Sequence, residues 1–298
     1  MMHAAMVIVH DPRCADYGSS QRPEQPARIL HTVPYLRDRH PDWMWLAPDE
    51  NAAPDSVLLL AHTAEHLRRL PVPVDFDPDT PAPPNIAVHA RRSVAAAITA
   101  TREATRRRNP AISLMRPPGH HATASQAMGF CYLNQIAIAG FAHRAEHPSA
   151  RIAVWDFDAH HGNGSEALLQ GVPGFFYASV HQSPCYPGTG LQDNGNCRNW
   201  PVRPRAPRTV HLAALRDSWE AVLKFAPDLI LVSAGFDAYA RDPITEMTLE
   251  AEDFATLGSW VRSTAIPAAA VLEGGYSTDL RQLVDAFLSA WDANAVIT

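Results

Sequence analysis

Short apolar segments alternate with helix-like stretches along this chain of 298 residues. The apolar segments are short enough to be strands that are buried on both faces of a sheet. Candidate strands are Met6 to His10, Ala111 to Met115, Arg151 to Asp156, Phe175 to Val180, Thr209 to Leu212, Asp228 to Ser233 and Ala268 to Leu272. Helical patterns fill most of residues 86–108, 131–147, 212–225, 249–264 and 278–292. The alternation predicts an α/β fold, a parallel sheet with helices on both faces.

The run WDFDAHHGNG follows the apolar segment Arg151 to Val154 and contains Asp156, Asp158 and His160. Because strand side chains alternate with period two, these three side chains point to one side while the strand continues. Two carboxylates and an imidazole suit a zinc ion that keeps a position open for water, whereas structural zinc usually recruits cysteines. A solvated turn with a helix cap is the alternative for this run alone.

Two more strand candidates end in polar side chains. Arg116-Pro-Pro-Gly-His-His-Ala122 places His120 and His121 after a rigid bend, which suggests proton-transfer groups near metal-bound water. The segment DLILVSAGFD ends in Asp237, for which a helix cap is the alternative interpretation. In open parallel sheets the ligand crevice lies beyond the carboxyl ends of the strands, where all of these segments fall.

Composition limits the class of protein. The hydrophobic content of 46% supports one large core, and we expect a single domain over residues 1–298. No apolar stretch has the length of a membrane span, and residues 1–9 lack a signal-peptide pattern, so we expect a cytoplasmic protein with no membrane partner. The four cysteines form no Cys-x-x-Cys pair, and the formal net charge of −6 argues against direct nucleic-acid binding.

The motifs together resemble the histone deacetylases and their bacterial amidohydrolase relatives. They occur in the family's order as RPPGHHA, GFCYLN at 129–134, WDFDAHHGNG, SVHQSPCYPGTG at 179–190, SAGFDAYARDP at 233–243 and LEGGY at 272–276. Asn163 and Glu273 look more like the class II branch, which includes acetylpolyamine amidohydrolases. The resemblance covers essentially the whole chain. It implies the three-layer arginase/deacetylase fold, an eight-stranded parallel sheet flanked by helices with long loops around one pocket.

The resemblance also implies two cation sites. Asp158, His160 and Asp237 would ligate Zn²⁺, which polarises an amide carbonyl and lowers the pKa of its bound water. Asp156 and Ser179 would contribute oxygens to a site for K⁺ or Na⁺ beneath the zinc.

Further roles carry over to the residues around the metal. His121 would be the general base and acid, while His120, oriented by Asp156, tunes the electrostatics. Asn163 stands where some relatives have an aspartate that partners the second histidine, and a neutral amide raises imidazole basicity less than a carboxylate does. Tyr276 would donate a hydrogen bond to the oxyanion.

The channel residues bear on the substrate. Phe130 and Tyr186 would form its two walls, and the carbonyl of Gly129 would accept a hydrogen bond from the substrate amide. Ile244 stands at the rim, where a polyamine-selective branch has glutamate. An apolar side chain there cannot pair with a distant ammonium group, so it weakens the hypothesis of a polyamine substrate. Arg22 begins an Arg-Pro-Glu motif where relatives commonly have His-Pro-Glu.

The proline-rich segment 71–84 is more consistent with a surface loop than with a domain linker. If the polyamine alternative held, another acidic group, such as Asp77 or Asp79 of this segment, would bind the cationic substrate.

The sequence therefore supports a zinc-dependent deacylase that acts on an N-acylated lysine side chain or small amine. The first alternative is an acetylpolyamine amidohydrolase. A non-hydrolysing acyl-lysine binding module of the same fold is the alternative from another class. An arginase-like ureohydrolase would need more metal carboxylates. The oligomeric state cannot be read from the sequence.

Overall fold

The computed structural model describes residues 6–292, whose eight strands form one parallel sheet. The strands are β1 (Val7–Val9), β2 (Met44–Leu46), β3 (Ala111–Ser113), β4 (Ile152–Asp156), β5 (Phe175–Gln182), β6 (Cys197–Val202), β7 (Leu229–Ala234) and β8 (Ala268–Leu272). Their order in the sheet is β2-β1-β3-β8-β7-β4-β5-β6, and every pair is parallel. The predicted fold class, including the eight strands that the family resemblance implies, is confirmed.

Helices cover both faces of this sheet. They are α1 (Ala27–Arg39), α2 (Asp55–Leu58), α3 (Ala64–Arg69), α4 (Ile86–Arg107), α5 (Gln135–Glu146), α6 (Asn163–Leu169), α7 (Arg208–Lys224), α8 (Ala251–Arg262) and α9 (Leu280–Trp291). Side-chain alternation decides which helix each strand residue meets. Phe175 of β5 packs against Phe141 of α5, whereas Trp155 of β4 packs against Trp219 of α7 and Trp260 of α8. No helix within residues 6–292 has both the length and the apolar character of a membrane span.

The prediction of a strand over Thr209 to Leu212 is wrong, because these residues form the start of α7. The buried residues of α7 recur at helical spacing, at His211, Leu215, Ser218, Trp219 and Val222. The short run was too brief to show that period. The sheet instead ends in β2 and β6, which the sequence did not reveal. In β6 three of the six residues are partly buried and one is exposed, so the strand lacks the continuous apolar run typical of a central strand.

A buried ion pair ties the start of the chain to the end of β3. Arg116 is completely buried, and its Nε and Nη2 donate to the two carboxylate oxygens of Glu24 at 2.5 and 2.7 Å. Its Nη1 donates to the backbone carbonyl of Cys14 at 2.9 Å. Burial opposes ionisation of Glu24, but the charge of Arg116 outweighs it and holds the pKa of Glu24 below its usual value. The pair therefore fixes the segment that leads into the two histidines.

Removing the charge of Glu24 tests how strongly the fold depends on this pair. We expect Glu24→Gln to lower the free energy of unfolding by about 3 kcal/mol, since it leaves the buried Arg116 cation without its counter-ion. Chemical denaturation measures the change. Glu50→Gln is the matched control, because Glu50 meets Arg13 at the surface with 56% of its side chain exposed, and its loss should cost below about 1 kcal/mol. Equal losses in the two variants would contradict the assignment.

Candidate active site

Asp158, His160 and Asp237 lie together at the carboxyl edge of the sheet. Asp158 and His160 follow β4 and Asp237 follows β7, and these two strands are neighbours. One ligand atom from each residue lies within 4.8 Å of the others, and all three residues are buried. The Nδ1 of His160 is 2.9 Å from Oδ2 of Asp237 and 3.2 Å from Oδ1 of Asp158. The structure thus brings together the three ligands that the family resemblance implies.

Backbone N–H groups and two glycines hold these carboxylates. Asp158 accepts from the backbone of His160 at 2.8 Å and of Gly274 at 2.7 Å, and Asp237 accepts from Ala159 at 2.8 Å. A Cβ on Gly274 would lie 2.2 Å from Oδ2 of Asp237, and one on Gly235 would lie 2.1 Å from Oδ2 of Asp158. Any other residue at either glycine would displace a carboxylate.

The chemistry of this cluster fits a divalent cation. Burial, followed by the charge of Asp158, raises the pKa of Asp237, because two neighbouring buried carboxylates disfavour each other's ionisation. A cation between them would relieve that repulsion. Two carboxylate oxygens and one imidazole nitrogen form a donor set that zinc takes at catalytic sites, where a further position stays open.

His120 is placed to hold a proton. Its Nδ1 lies 3.1 Å from Oδ2 of Asp156, which also accepts from the hydroxyl of Tyr177 at 2.9 Å. Burial disfavours the charged imidazole, but the carboxylates of Asp158 and Asp156 outweigh it and raise the pKa of His120 to about 10. Tyr177 was missed at the sequence level, where it was one aromatic residue within a strand.

His121 is placed to remain neutral. Its Nδ1 is 2.8 Å from the side-chain oxygen of Asn163, which can only accept, so Nδ1 carries the proton. Burial, together with the charges of His120 and His160, lowers the pKa of His121 well below its usual value. The Nε2 lone pair of His121 is therefore free, although its ring lies only 4.1 Å from that of His120.

Tyr276 follows β8 and reaches the same site. Its backbone N–H donates to Asp242 at 2.7 Å, and its ring lies 4.8 Å from the Arg28 guanidinium and 5.9 Å from Phe130. Burial raises the pKa of Tyr276 well above its usual value, so the hydroxyl keeps its proton and remains a donor. Arg28 also donates to the carbonyl of Gly275 at 2.7 Å, which fixes the turn that carries the tyrosine.

A cavity of about 410 Å³ leads from these groups to the surface. Its lining comprises Arg22, Pro23, Asp79, Pro118, His120, His121, Gly129, Phe130, His160, Cys185, Tyr186, Ile244, Gly274 and Tyr276. All four predicted channel residues therefore face it. A Cβ on Gly129 would lie 2.5 Å from the ring of His121 and 3.0 Å from that of Tyr186. Only glycine allows the wall to approach the histidine so closely.

The proline-rich segment 71–84 forms the outer support of one channel wall. Thr80 is completely buried, and its hydroxyl accepts from the backbone N–H of Phe130 at 3.2 Å. The hydroxyl of Tyr132 donates to the carbonyl of Pro81 at 2.5 Å. The segment is a loop, as expected, but it packs against the site.

Asp156 and Ser179, the pair that the resemblance assigns to a monovalent cation, lie directly opposite each other on β4 and β5. Both are completely buried. The Ser179 hydroxyl also forms a 2.9 Å hydrogen bond with Nδ1 of His181. The register of the sheet therefore places a carboxylate and a hydroxyl beneath the His120 side of the site.

Glu273 is a buried group to which sequence reasoning gave no structural role. Its Oε2 accepts from the backbone N–H groups of Gly119 at 2.7 Å and His120 at 3.2 Å, and its Oε1 accepts from the hydroxyl of Ser233 at 3.1 Å. It thereby joins the histidine turn to β7 and β8. A carboxylate directly after an apolar strand was the available signal, as it was for Asp156.

Comparisons with known proteins show what this chain is similar to. The histone deacetylase domain model matches residues 22–291. A probable deacetylase of Methanothermobacter thermautotrophicus is 35% identical over 289 residues, 92% of this chain and 86% of that protein. A histone deacetylase-like amidohydrolase of Pseudomonas aeruginosa is 37% identical over 245 residues, 76% of this chain and 64% of that protein. The crystal structure of an acetylpolyamine aminohydrolase from Burkholderia pseudomallei superimposes with a TM-score of 0.86 at 25% identity, covering 97% of this chain and 99% of that chain.

Proposed function

Since this chain belongs to the histone deacetylase family, we propose that it is a zinc-dependent deacylase of N-acylated lysine side chains or small N-acyl amines. One observation carries the proposal: His121, Tyr276 and His160 line the same cavity, and His160 belongs to the buried metal-type donor set. Asp158, His160 and Asp237 would hold the zinc ion. When bound, zinc supplies a Lewis acid for the acyl carbonyl and lowers the pKa of water.

His121 would act as the general base. Its free Nε2 takes a proton from the attacking water, and the same nitrogen later returns a proton to the leaving amine. Asn163 keeps the proton of the neutral ring on Nδ1, which preserves this role. His120, whose Nδ1 is oriented by Asp156, would tune the electrostatics beside the reacting carbonyl.

Tyr276 would stabilise the oxyanion. Its hydroxyl keeps its proton because burial disfavours the phenolate, so it donates a hydrogen bond as negative charge develops on the carbonyl oxygen. Phe130 and Tyr186 would contact the aliphatic part of the acyl amine, and the carbonyl of Gly129 would accept from its N–H. Asp156 and Ser179 would contribute oxygens to a K⁺ or Na⁺ site beneath the zinc.

An acetylpolyamine amidohydrolase is the second candidate, favoured by the shared fold with the Burkholderia pseudomallei enzyme. Ile244 at the rim argues against it, since an apolar side chain offers no partner for a distant ammonium group. A binding module without hydrolysis needs neither a free imidazole nitrogen nor a tyrosine donor, and both are present.

Replacing one metal ligand tests the zinc assignment. We expect the wild-type protein to contain about one zinc or substitutable divalent ion per chain, and Asp158→Ala to lose both the ion and hydrolysis of an acetyl-lysine peptide, since two remaining ligands are too few for a stable site. Elemental analysis after dialysis measures the ion. Asp217→Ala, an exposed change on α7, serves as the control. A fully metallated, active Asp158→Ala protein would refute the ligand set.

Removing the hydroxyl of Tyr276 tests the oxyanion role. Tyr276→Phe should keep the metal and the fold but lower kcat by about two to three orders of magnitude, with a smaller change in KM. His121→Ala should be at least as damaging, because it removes the proton acceptor. Tyr35→Phe on α1 controls for loss of a phenol elsewhere. Turnover close to wild type in Tyr276→Phe would show that another group stabilises the intermediate.

A charge at the rim tests the choice between substrates. Ile244→Glu should shift relative kcat/KM toward N8-acetylspermidine over an acetyl-lysine peptide by about tenfold or less, because a partly exposed ion pair contributes little. Ile244→Gln, with the same length but no charge, separates electrostatics from size. A strong preference for the polyamine in the wild-type protein would reverse the expected order of substrates.

A further inference from the structure

Two opposite charges stand at the mouth of the channel. Arg22, half buried, and Asp79, exposed, both line the cavity that leads to the metal-type cluster. The Nη1 of Arg22 donates to the carbonyl of Pro78 at 2.8 Å, a neutral group. Over residues 6–292, neither side chain forms an ion pair with the other or with a third residue. Each charge is therefore available to a ligand.

Both charges are held in place by the proline-rich loop. The Oδ1 of Asp77 accepts from the backbone N–H groups of Asp79 at 2.8 Å and Thr80 at 2.6 Å, which fixes the turn that presents Asp79. Thr80 is buried against the channel wall. Arg22 bonds to Pro78 of the same turn. The same turn therefore carries Asp79 and holds Arg22.

A second cavity gives this mouth room for a head group. It has a volume of about 240 Å³, and it shares Arg22, Asp79 and Phe130 with the channel. Its remaining lining includes Ser19 and Tyr132. A substrate whose acyl amide reaches the inner end of the channel would therefore leave its far end beside Arg22 and Asp79.

Three kinds of acyl amine differ at that far end. An acyl-lysine within a peptide presents neutral backbone amides, and an acetylated polyamine presents only ammonium groups. A free acyl-lysine presents one carboxylate and one ammonium group on the same carbon. Only this zwitterion complements a mouth that offers one free cation and one free anion, while the apolar Ile244 adds no further charge.

We infer that the substrate class is the free diamino acid acylated on its side-chain nitrogen, with Nε-acetyl-lysine as the representative. Arg22 binds its α-carboxylate and Asp79 binds its α-ammonium group. Hydrolysis adds one water across the side-chain amide, breaks its C–N bond, and releases the acyl carboxylate and the free diamino acid. The inference rests on the proposed deacylase function and goes beyond it by specifying what the mouth recognises.

Four substrates test the contributions of the two substrate charges separately. They are Nε-acetyl-lysine, its α-carboxamide, its Nα-formyl derivative and the Nα-formyl α-carboxamide, each assayed by mass spectrometry for loss of the Nε-acetyl group. For the metal-loaded wild-type protein, we expect kcat/KM to fall about two- to fivefold on capping either charge, the range for a partly exposed charge pair. The doubly capped compound should be the poorest of the four.

Two variants assign each charge to its residue. With Arg22→Gln, kcat/KM should no longer differ between substrates with a free and a capped carboxylate, while the difference between a free and a capped amine remains. With Asp79→Asn, the difference for the amine should disappear and the difference for the carboxylate should remain. Arg107→Gln removes an arginine charge at the end of α4 and should leave both ratios as in the wild type. Because the results are ratios between substrates on one protein, a general loss of activity does not imitate them.

The contrary outcomes are distinct. If the wild-type protein hydrolyses the doubly capped compound or N8-acetylspermidine as well as Nε-acetyl-lysine, the inference is overturned and the deacylase function stands. If both variants lose only general activity and keep the wild-type ratios of kcat/KM between substrates, Arg22 and Asp79 do not bind the head group. Failure to cleave any of these compounds or a longer acetyl-lysine peptide would overturn the proposed function as well.

Discussion

Burial of negative charge at the carboxyl edge of the sheet is the constraint on which the site depends. Four carboxylates there are completely buried, those of Asp156, Asp158, Asp237 and Glu273. Each accepts at least one backbone N–H, because a buried carboxylate without hydrogen-bond partners is very costly. The loops that supply those N–H groups must approach closely, which explains glycine at 235 and 274. Metal-type geometry and loop conformation therefore arise from the same requirement.

The same surroundings shift the pKa values of two adjacent histidines in opposite directions. His120 lies near Asp156 and Asp158, whose charges favour its imidazolium form. His121 meets the amide of Asn163, which orients the ring without adding negative charge, and the proton on His120 further disfavours a second one. A cation bound by Asp158 and Asp237 would weaken the effect of Asp158 on the pKa of His120, but Asp156 would still orient His120. The opposite pKa shifts of the two histidines thus follow from the different partners of each ring.

The sequence predicted those parts of the fold in which local pattern and tertiary role coincide. The central strands are continuous apolar runs, and the site residues follow them directly, so β4, β7 and their carboxylates were recognisable. The edge strands β2 and β6 are partly exposed and carry no such run. The error at Thr209 to Leu212 has the same origin, because a four-residue apolar run does not distinguish a strand from one helical turn.

Sequence reasoning could not predict contacts between distant segments. Such contacts contribute to the different roles of the two acidic residues of the proline-rich loop, Asp77 and Asp79. Both Asp77 and Asp79 were candidates for reading a substrate charge. In the structure, the carboxylate of Asp77 accepts the N–H groups that shape the turn, whereas Asp79 lines the cavity. The Asp77 contacts are local and fit an Asp-Pro turn, whereas the place of Asp79 at the cavity also depends on Thr80 docking at Phe130, fifty positions away. The loop therefore supplies one carboxylate for its own conformation and one for the mouth.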